Sequence, residues 1–323
     1  MSNEAVPATP AEIVEKRLRE LKVILDGEIH YRLERVFPKL AGWGSNGDIK
    51  RRGKLIGFVE PTLKRMLFNG EEVLYVAKGV QYSLAENYFM GALWATLLNQ
   101  TVFVLTNARL LMMRSNSKGK PSEMFWVIYY SEIQEFKANW TGVLNLRLKD
   151  NKKLKFTGFT SIDRQSMPTI FQNAMDDYRK HDFTPTASQS QETLCGHCFK
   201  VVPKSEYLCE YCGTEYWTPR QLAFRSLVFP SWGDICMKHY GMAFFELLGY
   251  LFSWIAAAVN LIGGNPTQGL IIIAMIFLFE HTIDAIVTYI IASKGLNHRR
   301  DPDPNRMVAD VENDEVEAAD EIE

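Results

Sequence analysis

The chain has 323 residues and a formal net charge of -2, which is enough length for two modest domains with additional segments. The charge is uneven, because residues 301–323 hold ten acidic side chains and one basic side chain, so residues 1–300 carry seven excess positive charges. A basic body suits an anionic membrane surface or nucleic acid. The five cysteines are not arranged as a secreted disulfide framework, and the N-terminus lacks the apolar core of a cleavable signal peptide.

Three segments precede the first predicted strand. Residues 1–10 are polar and rich in proline and alanine, so we expect disorder there. Residues 11–41 carry apolar side chains at helical spacing, which predicts a helix that either packs on the next domain or forms a coiled-coil arm. Residues 42–69 begin with a Gly-rich basic stretch and are predicted to be a linker.

Residues 70–178 contain short β-rich runs separated by turn residues. Asn107-Ala108 and Asp150-Asn151 have the composition of tight hairpin turns, and an apolar face around residues 168–178 predicts one closing helix. Several antiparallel strands followed by one helix are the layout of a pleckstrin-homology (PH) type barrel. The predicted fold class is therefore α+β, in a multi-domain membrane protein.

The strings LYVAKG, VFVLTNARLLMMRS, VIYYSEIQEFK and LNLRLKDNKKLKF resemble bacterial PH-like domains. The resemblance covers about a third of the chain and follows the order of hairpins, not a catalytic signature. It implies a domain that binds a protein or lipid headgroups. The segment Leu84–Leu98 departs from the family, since it is long and apolar where a simple loop is usual; we expect an inserted helix able to enter the bilayer. The basic residues predicted to contact lipid or a partner are Arg109, Arg114, Lys118 and Lys120.

A polar linker, residues 179–193, leads to a cysteine-rich segment, residues 194–218. Two Cys-x-x-Cys pairs separated by ten residues have the spacing of a zinc ribbon. Four thiolates complete a tetrahedral Zn²⁺ site with no open position, so the predicted ion is structural, with a rubredoxin-like iron as the alternative. Few basic residues accompany the cysteines, which argues against a nucleic-acid surface. The predicted ligands are Cys195, Cys198, Cys209 and Cys212.

Two long apolar runs at residues 242–293 follow an aromatic interfacial segment, residues 219–241. Each run is long enough to cross a hydrocarbon core of about 30 Å, which predicts a transmembrane hairpin. The turn between the runs is uncharged, whereas Lys238 and Lys294 flank the other ends, so the positive-inside rule predicts both termini in the cytoplasm. Residues 294–323 are predicted to be a juxtamembrane segment and an acidic tail.

Four ionisable residues interrupt the apolar runs, and such residues either pair helices or serve a function such as a proton or metal-ion site. These residues are Glu246, Glu280, His281 and Asp284. From PSWGDICMKHYG to IVTYIIASKGL the region resembles uncharacterised bacterial proteins that join a zinc ribbon to two membrane helices. That resemblance implies a multi-pass protein of the cell (inner) membrane and brings no activity with it.

The sequence predicts a non-enzymatic, membrane-anchored adaptor or scaffold whose partners are membrane lipid and an unidentified protein. No Walker loop, G-x-G-x-x-G, G-x-S-x-G or H-E-x-x-H motif is present. One alternative is a small homo-oligomeric transport or sensing unit that uses the intramembrane Glu/His/Asp cluster. A second alternative is a zinc-ribbon regulator that binds nucleic acid.

Overall fold

The computed structural model of the protein describes residues 9–302, except for 182, 184 and 186. The predicted disorder at residues 1–10 and the predicted acidic tail therefore lie almost entirely outside the described residues. The chain divides into two compact units. The first, named here the sheet unit, comprises residues 1–82 and 96–194. The second, the hairpin unit, comprises residues 83–95 and 195–323.

The described residues form both helices and strands, which confirms the α+β prediction. The helices are α1 (Pro10–Glu20), α2 (Leu33–Val36), α3 (Ser45–Met66), α4 (Leu84–Phe89), α5 (Gly91–Leu98), α6 (Ser161–Lys180), α7 (Pro219–Val228), α8 (Trp232–Cys236), α9 (Tyr240–Ile262), α10 (Pro266–Met275) and α11 (Thr282–Ala292). A 3-10 turn occupies Tyr130–Glu132, and a π-helical turn, Ile276–His281, joins α10 to α11.

The strands are short and, where they form ladders, antiparallel. They are β1 (Val73–Gln81), β2 (Gln100–Thr106), β3 (Arg109–Ser115), β4 (Pro121–Tyr129), β5 (Ile133–Ala138), β6 (Leu144–Leu148), β7 (Lys153–Thr157), β8 (Glu192–Leu194), β9 (Val201–Val202), β10 (Glu215–Trp217) and β11 (Asn297–Arg300).

The strands of the sheet unit are hydrogen-bonded in the order β5-β6-β7-β1-β2-β3-β4-β8. The two predicted hairpin turns are confirmed, because Asn107-Ala108 joins β2 to β3 and Asp150-Asn151 joins β6 to β7. Asn151 has φ 66°, a left-handed conformation that asparagine tolerates better than most residues. The predicted closing helix is α6, which is longer at both ends than the apolar face around residues 168–178 indicated.

Helix α6 contributes one wall of the core of this unit. Its start is fixed by a capping box in which Thr160 Oγ1 accepts from the Asp163 backbone N–H and the Asp163 carboxylate accepts from the Thr160 N–H. Phe171 packs edge-on against Tyr130 and Phe136, with ring centroids 5.7 and 5.5 Å apart. Such aromatic pairs add about 0.5–1.5 kcal/mol beyond the burial of their area.

The prediction of a linker over residues 42–69 is wrong, because α3 occupies most of that segment. Three apolar side chains at helical spacing, Ile56, Val59 and Leu63, are completely buried. Burial of each contributes about 1.5–3 kcal/mol, which holds α3 in the sheet unit. The glycines that suggested a linker include Gly53, where an added Cβ would lie 2.3 Å from Val23 Cγ1. This glycine permits close packing.

The predicted helix over residues 11–41 is also wrong in extent. α1 ends at Glu20, and only a four-residue helix, α2, follows before residue 41. Between them the chain forms turns and then a bridge: Tyr31 pairs in parallel with Val73, and the Arg32 N–H donates to the Val73 carbonyl at 2.9 Å. Pairing with the edge of β1 satisfies backbone groups that a helix would have satisfied internally, so the helical spacing of the sequence is overridden.

The hairpin unit contains two long apolar helices. One is α9, and the other runs continuously from Pro266 to Ala292 through α10, the π-helical turn and α11. Each is long and apolar enough to cross a membrane by length and composition. Many of their apolar side chains are exposed, as Phe244 (61%), Phe252 (60%) and Ile262 (88%) illustrate.

Candidate functional site

The sheet unit contains a cationic pocket, a cavity of about 360 Å³ between α3, β1, the loop from β3 to β4 and the start of α6. The basic side chains that line the pocket come from three separate parts of the sequence. They are Arg51, Arg52, Lys54, Lys78 and Lys118. One carboxylate, that of Asp163, is also present. The pocket therefore has an excess of positive charge, which favours an anionic ligand.

A buried network holds the floor of the cationic pocket. Arg52 Nη2 donates to Asp163 Oδ1 at 2.9 Å, and Arg52 Nη1 donates to the Val76 carbonyl at 2.8 Å. The Tyr75 hydroxyl donates to the same Asp163 oxygen at 2.9 Å. Burial raises the pKa of Tyr75 above its ordinary value, which keeps this hydroxyl protonated. Arg52 and Asp163 thus neutralise each other, and Arg51 is paired with Asp48, while Lys54, Lys78 and Lys118 have no ion pair with a carboxylate of the pocket.

Lys78 has no carboxylate partner within hydrogen-bonding distance in the described chain. Its Nζ donates to Gln100 Oε1 at 2.9 Å and to the Ser117 carbonyl at 2.6 Å. Burial, together with the positive charge of Arg51, lowers the pKa of Lys78. An anion placed in the pocket would favour the charged form of Lys78, because an opposite charge nearby stabilises the ammonium group.

The four basic residues predicted to form one lipid contact are not on one surface. Arg109 is buried and forms a two-pronged ion pair with Glu71, with N–O distances of 3.0 Å, while its Nη2 also donates to the Met66 carbonyl at 2.6 Å. Arg114 is buried as well and donates to the Leu98 carbonyl. The prediction is therefore wrong for Arg109 and Arg114, whose charges serve the interior of the sheet unit.

The other two members of that prediction, Lys118 and Lys120, are exposed, and Lys118 lines the cationic pocket. Gly119 between them has φ 92° and lies against Leu55 of α3, where an added Cβ would come within 2.5 Å of Leu55 Cδ1. This close approach fixes the loop beside α3. The sequence offered one signal for the missed residues: the basic run from Lys50 to Lys54 lies in the segment predicted to be a linker.

In the hairpin unit the four predicted ligand cysteines converge. Their sulfurs all lie within 4.8 Å of one another, with Cys195 and Cys212 at 3.6 Å and Cys198 and Cys209 at 3.5 Å. Four sulfurs at about 2.3 Å from a tetrahedral Zn²⁺ would be about 3.8 Å apart, so this arrangement fits a closed four-thiolate site. None of the four is in a disulfide bond.

Hydrogen-bond donors surround the cysteine centre in a manner suited to thiolates. The Tyr216 hydroxyl donates to Cys195 Sγ at 3.0 Å, and the His197 backbone N–H donates to the same sulfur at 3.4 Å. Thr214 Oγ1 lies 3.0 Å from Cys212 Sγ. Donors of this kind stabilise sulfur charge and orient metal ligands.

The segment after the membrane hairpin completes the cysteine centre, which the sequence did not indicate. Strand β11 pairs antiparallel with β10, so that Tyr216 faces His298. Leu296 packs with Val202, Tyr216 and the cysteines in one small core. The cysteine segment is therefore closed by residues more than eighty positions away in the chain.

The four ionisable residues of the apolar helices have different partners. Ser231 links two of them, since its Oγ donates to Glu246 Oε2 at 2.8 Å and its N–H donates to Asp284 Oδ2 at 2.6 Å. Ser253 Oγ donates to Glu280 Oε1 at 2.5 Å. The structure thus brings Glu246 and Asp284 together and pairs Glu280 with a hydroxyl elsewhere on α9.

His281, the fourth of these residues, lies at the end of the π-helical turn. Its Nδ1 is 2.8 Å from the Leu227 carbonyl, its Nε2 is 3.4 Å from the Tyr250 hydroxyl, and its ring stacks on Phe277 at 5.0 Å. A carbonyl neighbour at Nδ1 indicates that this nitrogen carries a proton. These contacts join α7, α9 and the second apolar helix. For His281 they are the kind of helix-pairing contact that was one of the two alternatives for the ionisable residues.

Further apolar surface flanks the hairpin. The inserted segment, residues 83–95, belongs to the hairpin unit, where Glu86 pairs with Lys294 at 2.5 Å and the ring of Trp94 contacts Phe245 at 5.7 Å. Its own apolar side chains point outward, with Leu84 72% and Tyr88 82% exposed. Helices α7 and α8 also expose large apolar side chains: Phe224, Leu227, Val228, Trp232 and Ile235.

Comparisons with known proteins give one sequence match and weak structural likenesses. Residues 65–170 match the family described as "Intermembrane lipid transfer protein VPS13, C-terminal". The C-terminal domain of an unknown protein from Leishmania infantum is 14% identical, with 37% of this chain and 96% of that chain covered and a TM-score of 0.27. The Linker-DH/PH domains of p115-RhoGEF are 7% identical, with 41% of this chain and 43% of that chain covered and a TM-score of 0.26. No curated protein matches in sequence.

Proposed function

We propose that the protein is a non-enzymatic, membrane-anchored protein whose sheet unit binds the phosphate groups of anionic lipids in the cationic pocket. The observation that carries the proposal is the surplus of cations in that pocket. Asp163 is paired with Arg52. The three lysines of the pocket are not paired with Asp163: Lys54, Lys78 and Lys118. Each basic side chain near an anionic membrane surface contributes about 1 kcal/mol. Three such residues are enough for reversible attachment.

The matched family supports a lipid ligand over a protein ligand. The match at residues 65–170 includes β1, the loop from β3 to β4 and the start of α6, which form three walls of the pocket. The family's description names intermembrane lipid transfer. A role in holding or transferring lipid at a membrane is thus part of this proposal, with a PH-like barrel as the recognising domain.

The hairpin unit supplies the anchor in this proposal. A pair of core helices in a soluble protein would bury its apolar side chains, whereas α9 and its partner expose theirs. In this proposal both termini lie in the cytoplasm, at the inner membrane of a bacterial-type cell; Lys238 and Lys294 at one end and the uncharged turn at Asn265 at the other support that orientation. The cysteine centre holds a structural Zn²⁺ as a zinc ribbon and fixes the segment before the first span to the segment after the second.

The test uses full-length protein in phosphatidylcholine nanodiscs and its capture of separate vesicles made with or without phosphatidylserine. We expect capture of the anionic vesicles alone, and we expect Lys54→Ala combined with Lys118→Ala to weaken capture by about 2 kcal/mol, roughly thirtyfold. The effect should decrease as salt rises, because counterions screen exposed charges.

The matched control is Lys153→Ala combined with Lys155→Ala, which removes the same charge from exposed positions of β7 outside the pocket. This control should capture vesicles like the unmodified protein. Equal weakening by both pairs would show that only net charge matters, and would contradict a lipid site in the pocket. Equal capture of phosphatidylcholine vesicles would also overturn the proposal.

A further inference from the structure

Three carboxylates converge in the hairpin unit where α8 meets the two apolar helices. Asp234 comes from α8, Glu246 from the second turn of α9, and Asp284 from the first turn of α11. One oxygen of each lies within 4.8 Å of the others. Glu246 and Asp284 interrupt the apolar runs and were predicted from the sequence as ionisable residues of the hairpin, whereas Asp234 precedes the first run and was not predicted.

Asp234 is the most deeply buried carboxylate of the group. Its side chain is completely buried, and its Oδ1 is 3.2 Å from His239 Nδ1. Its Oδ2 has no hydrogen-bond partner in the described part of the chain. A buried carboxylate oxygen without a partner is costly, and native structures seldom leave one without a water or an ion.

The surroundings provide hydroxyl and amide donors but very little positive charge. Ser231 bonds to both Glu246 and Asp284, and Thr288 Oγ1 donates to Asp284 Oδ1 at 3.3 Å. Within the described residues, the pair of Asp234 with His239 is the one ion pair that these three carboxylates make. Like charges this close oppose one another's ionisation unless a cation lies among them.

The positions of the carboxylates are fixed by tight packing. Gly233, next to Asp234, is enclosed so closely that an added Cβ would lie 2.5 Å from Thr288 Cγ2 and 2.6 Å from Ser226 Oγ. Ser226 Oγ is itself 2.8 Å from Thr288 Oγ1. Helices α7, α8 and α11 are thereby locked together around the group, as a preorganised site requires.

We propose that Asp234, Glu246 and Asp284 bind one hard divalent cation of the Mg²⁺, Mn²⁺ or Ca²⁺ class, separately from the cysteine centre. All donors at the site are oxygens, which these ions prefer and which suit Zn²⁺ less well than thiolate or imidazole does. Carboxylate oxygens that share an ion at about 2.0–2.6 Å lie about 3–4 Å apart, a separation that small side-chain shifts provide here. The bound ion would tie α8 to both apolar helices.

The test is a titration of full-length protein in detergent with Mn²⁺, with free Mn²⁺ followed by electron paramagnetic resonance and the cysteine centre loaded with zinc beforehand. We expect one equivalent of bound Mn²⁺. Glu246→Gln and Asp284→Asn each keep the size of the side chain but remove its negative charge, and each should lower the Mn²⁺ affinity at least tenfold.

Glu280→Gln is the matched control. Glu280 lies on the same apolar helix as Asp284, but its carboxylate accepts a hydrogen bond from Ser253 and is not part of the three-carboxylate group. It should bind Mn²⁺ as the unmodified protein does. Absence of bound Mn²⁺ in the unmodified protein would overturn the proposal and indicate that the carboxyl groups share protons. Unchanged binding in Asp284→Asn would overturn it too, since the ion would then be bound elsewhere.

Discussion

Two groups of buried carboxylates, one in each unit, differ in how their charge is compensated. In the sheet unit Asp163 is paired with Arg52 and Glu71 with Arg109, so each of these two buried carboxylates has a guanidinium beside it. In the hairpin unit, within the described residues, the carboxylate of Asp234 has only an imidazole as a charged neighbour. The buried carboxylates Asp163 and Glu71 are thus compensated by cations of the chain itself, whereas the carboxylate group around Asp234 has room for an added cation.

The two units also differ in where they place aromatic side chains. Phe103 and Phe156 of the sheet unit are 1% exposed and meet edge-on at 4.8 Å. Phe244 and Phe252 on α9 are about 60% exposed. A water-soluble domain gains stability by burying such rings, and a helix in lipid does not need to. The contrast is the one expected if water surrounds the sheet unit and hydrocarbon surrounds the apolar helices, as the proposed function requires.

The largest expected effect concerns the cysteine centre, the part of the hairpin unit that lies outside the apolar helices. A structural Zn²⁺ contributes about 10–16 kcal/mol to the folding of small metal domains. Chelation of the purified full-length protein should therefore remove amide-exchange protection from residues 194–218 and from β11, which depends on that segment through Tyr216. Zinc should restore the protection.

Cys198→Ser should reproduce the effect of chelation without any chelator. Cys236→Ser is the matched control, because Cys236 lies outside the four-sulfur group and should leave both metal content and protection unchanged. A metal-free protein with full protection, or disulfides within the Cys-x-x-Cys pairs, would show that the centre is not a zinc site.

The next effect tests the charge pairing of the sheet unit. Asp163→Ala leaves Arg52 buried without its carboxylate, and loss of one partner from a buried pair costs about 3–5 kcal/mol. The free energy of opening of β1 and β2, measured by hydrogen exchange, should fall by that amount. Arg179→Ala removes an exposed pair with Asp176 and should change it by less than about 1 kcal/mol. If Asp163→Ala and Arg179→Ala lowered this free energy of opening equally, the stabilisation by an ion pair would not depend on its burial.

The smallest effect concerns Lys78, whose pKa is lowered by burial and by Arg51. Between its folded pKa and the ordinary value of 10.5, the unfolded chain binds more protons than the folded chain, so stability should rise with pH through that interval. A phosphate in the pocket favours the charged amine and should raise the folded pKa. A ¹³C NMR titration of dimethylated Lys78, with and without inositol phosphate, measures this directly. A pKa that does not rise with the ligand would argue against phosphate binding in the pocket.

Local patterns predicted those features that depend on neighbours in sequence. The turns at Asn107 and Asp150, the four cysteines and the two apolar helices all follow from residue type and spacing. The features that could not be predicted depend on contacts between residues that are distant in the sequence. Arg109 looks like a surface cation until Glu71, thirty-eight residues earlier, is placed beside it. Asp234 is seen to belong to a group of carboxylates only in the folded chain, where α11 brings Asp284 close to it.

The segment read as a linker shows why composition can mislead. The glycines and basic residues before Ile56 resemble a flexible connection, but tertiary packing uses the small size of Gly53 and buries the apolar stripe. The same basic residues then become one wall of the cationic pocket. No pattern within that segment alone indicates that β1 and the loop after β3 supply the other walls.

The central claim is that the hairpin unit crosses a membrane while the sheet unit remains in the cytoplasm. Labelling of single introduced cysteines with a membrane-impermeant maleimide in intact cells tests it most directly. Asn265→Cys, in the uncharged turn, should react in intact cells, whereas Ser2→Cys should react only after the cells are permeabilised. Labelling of Ser2→Cys in intact cells, or failure of Asn265→Cys to react before permeabilisation, would contradict the account.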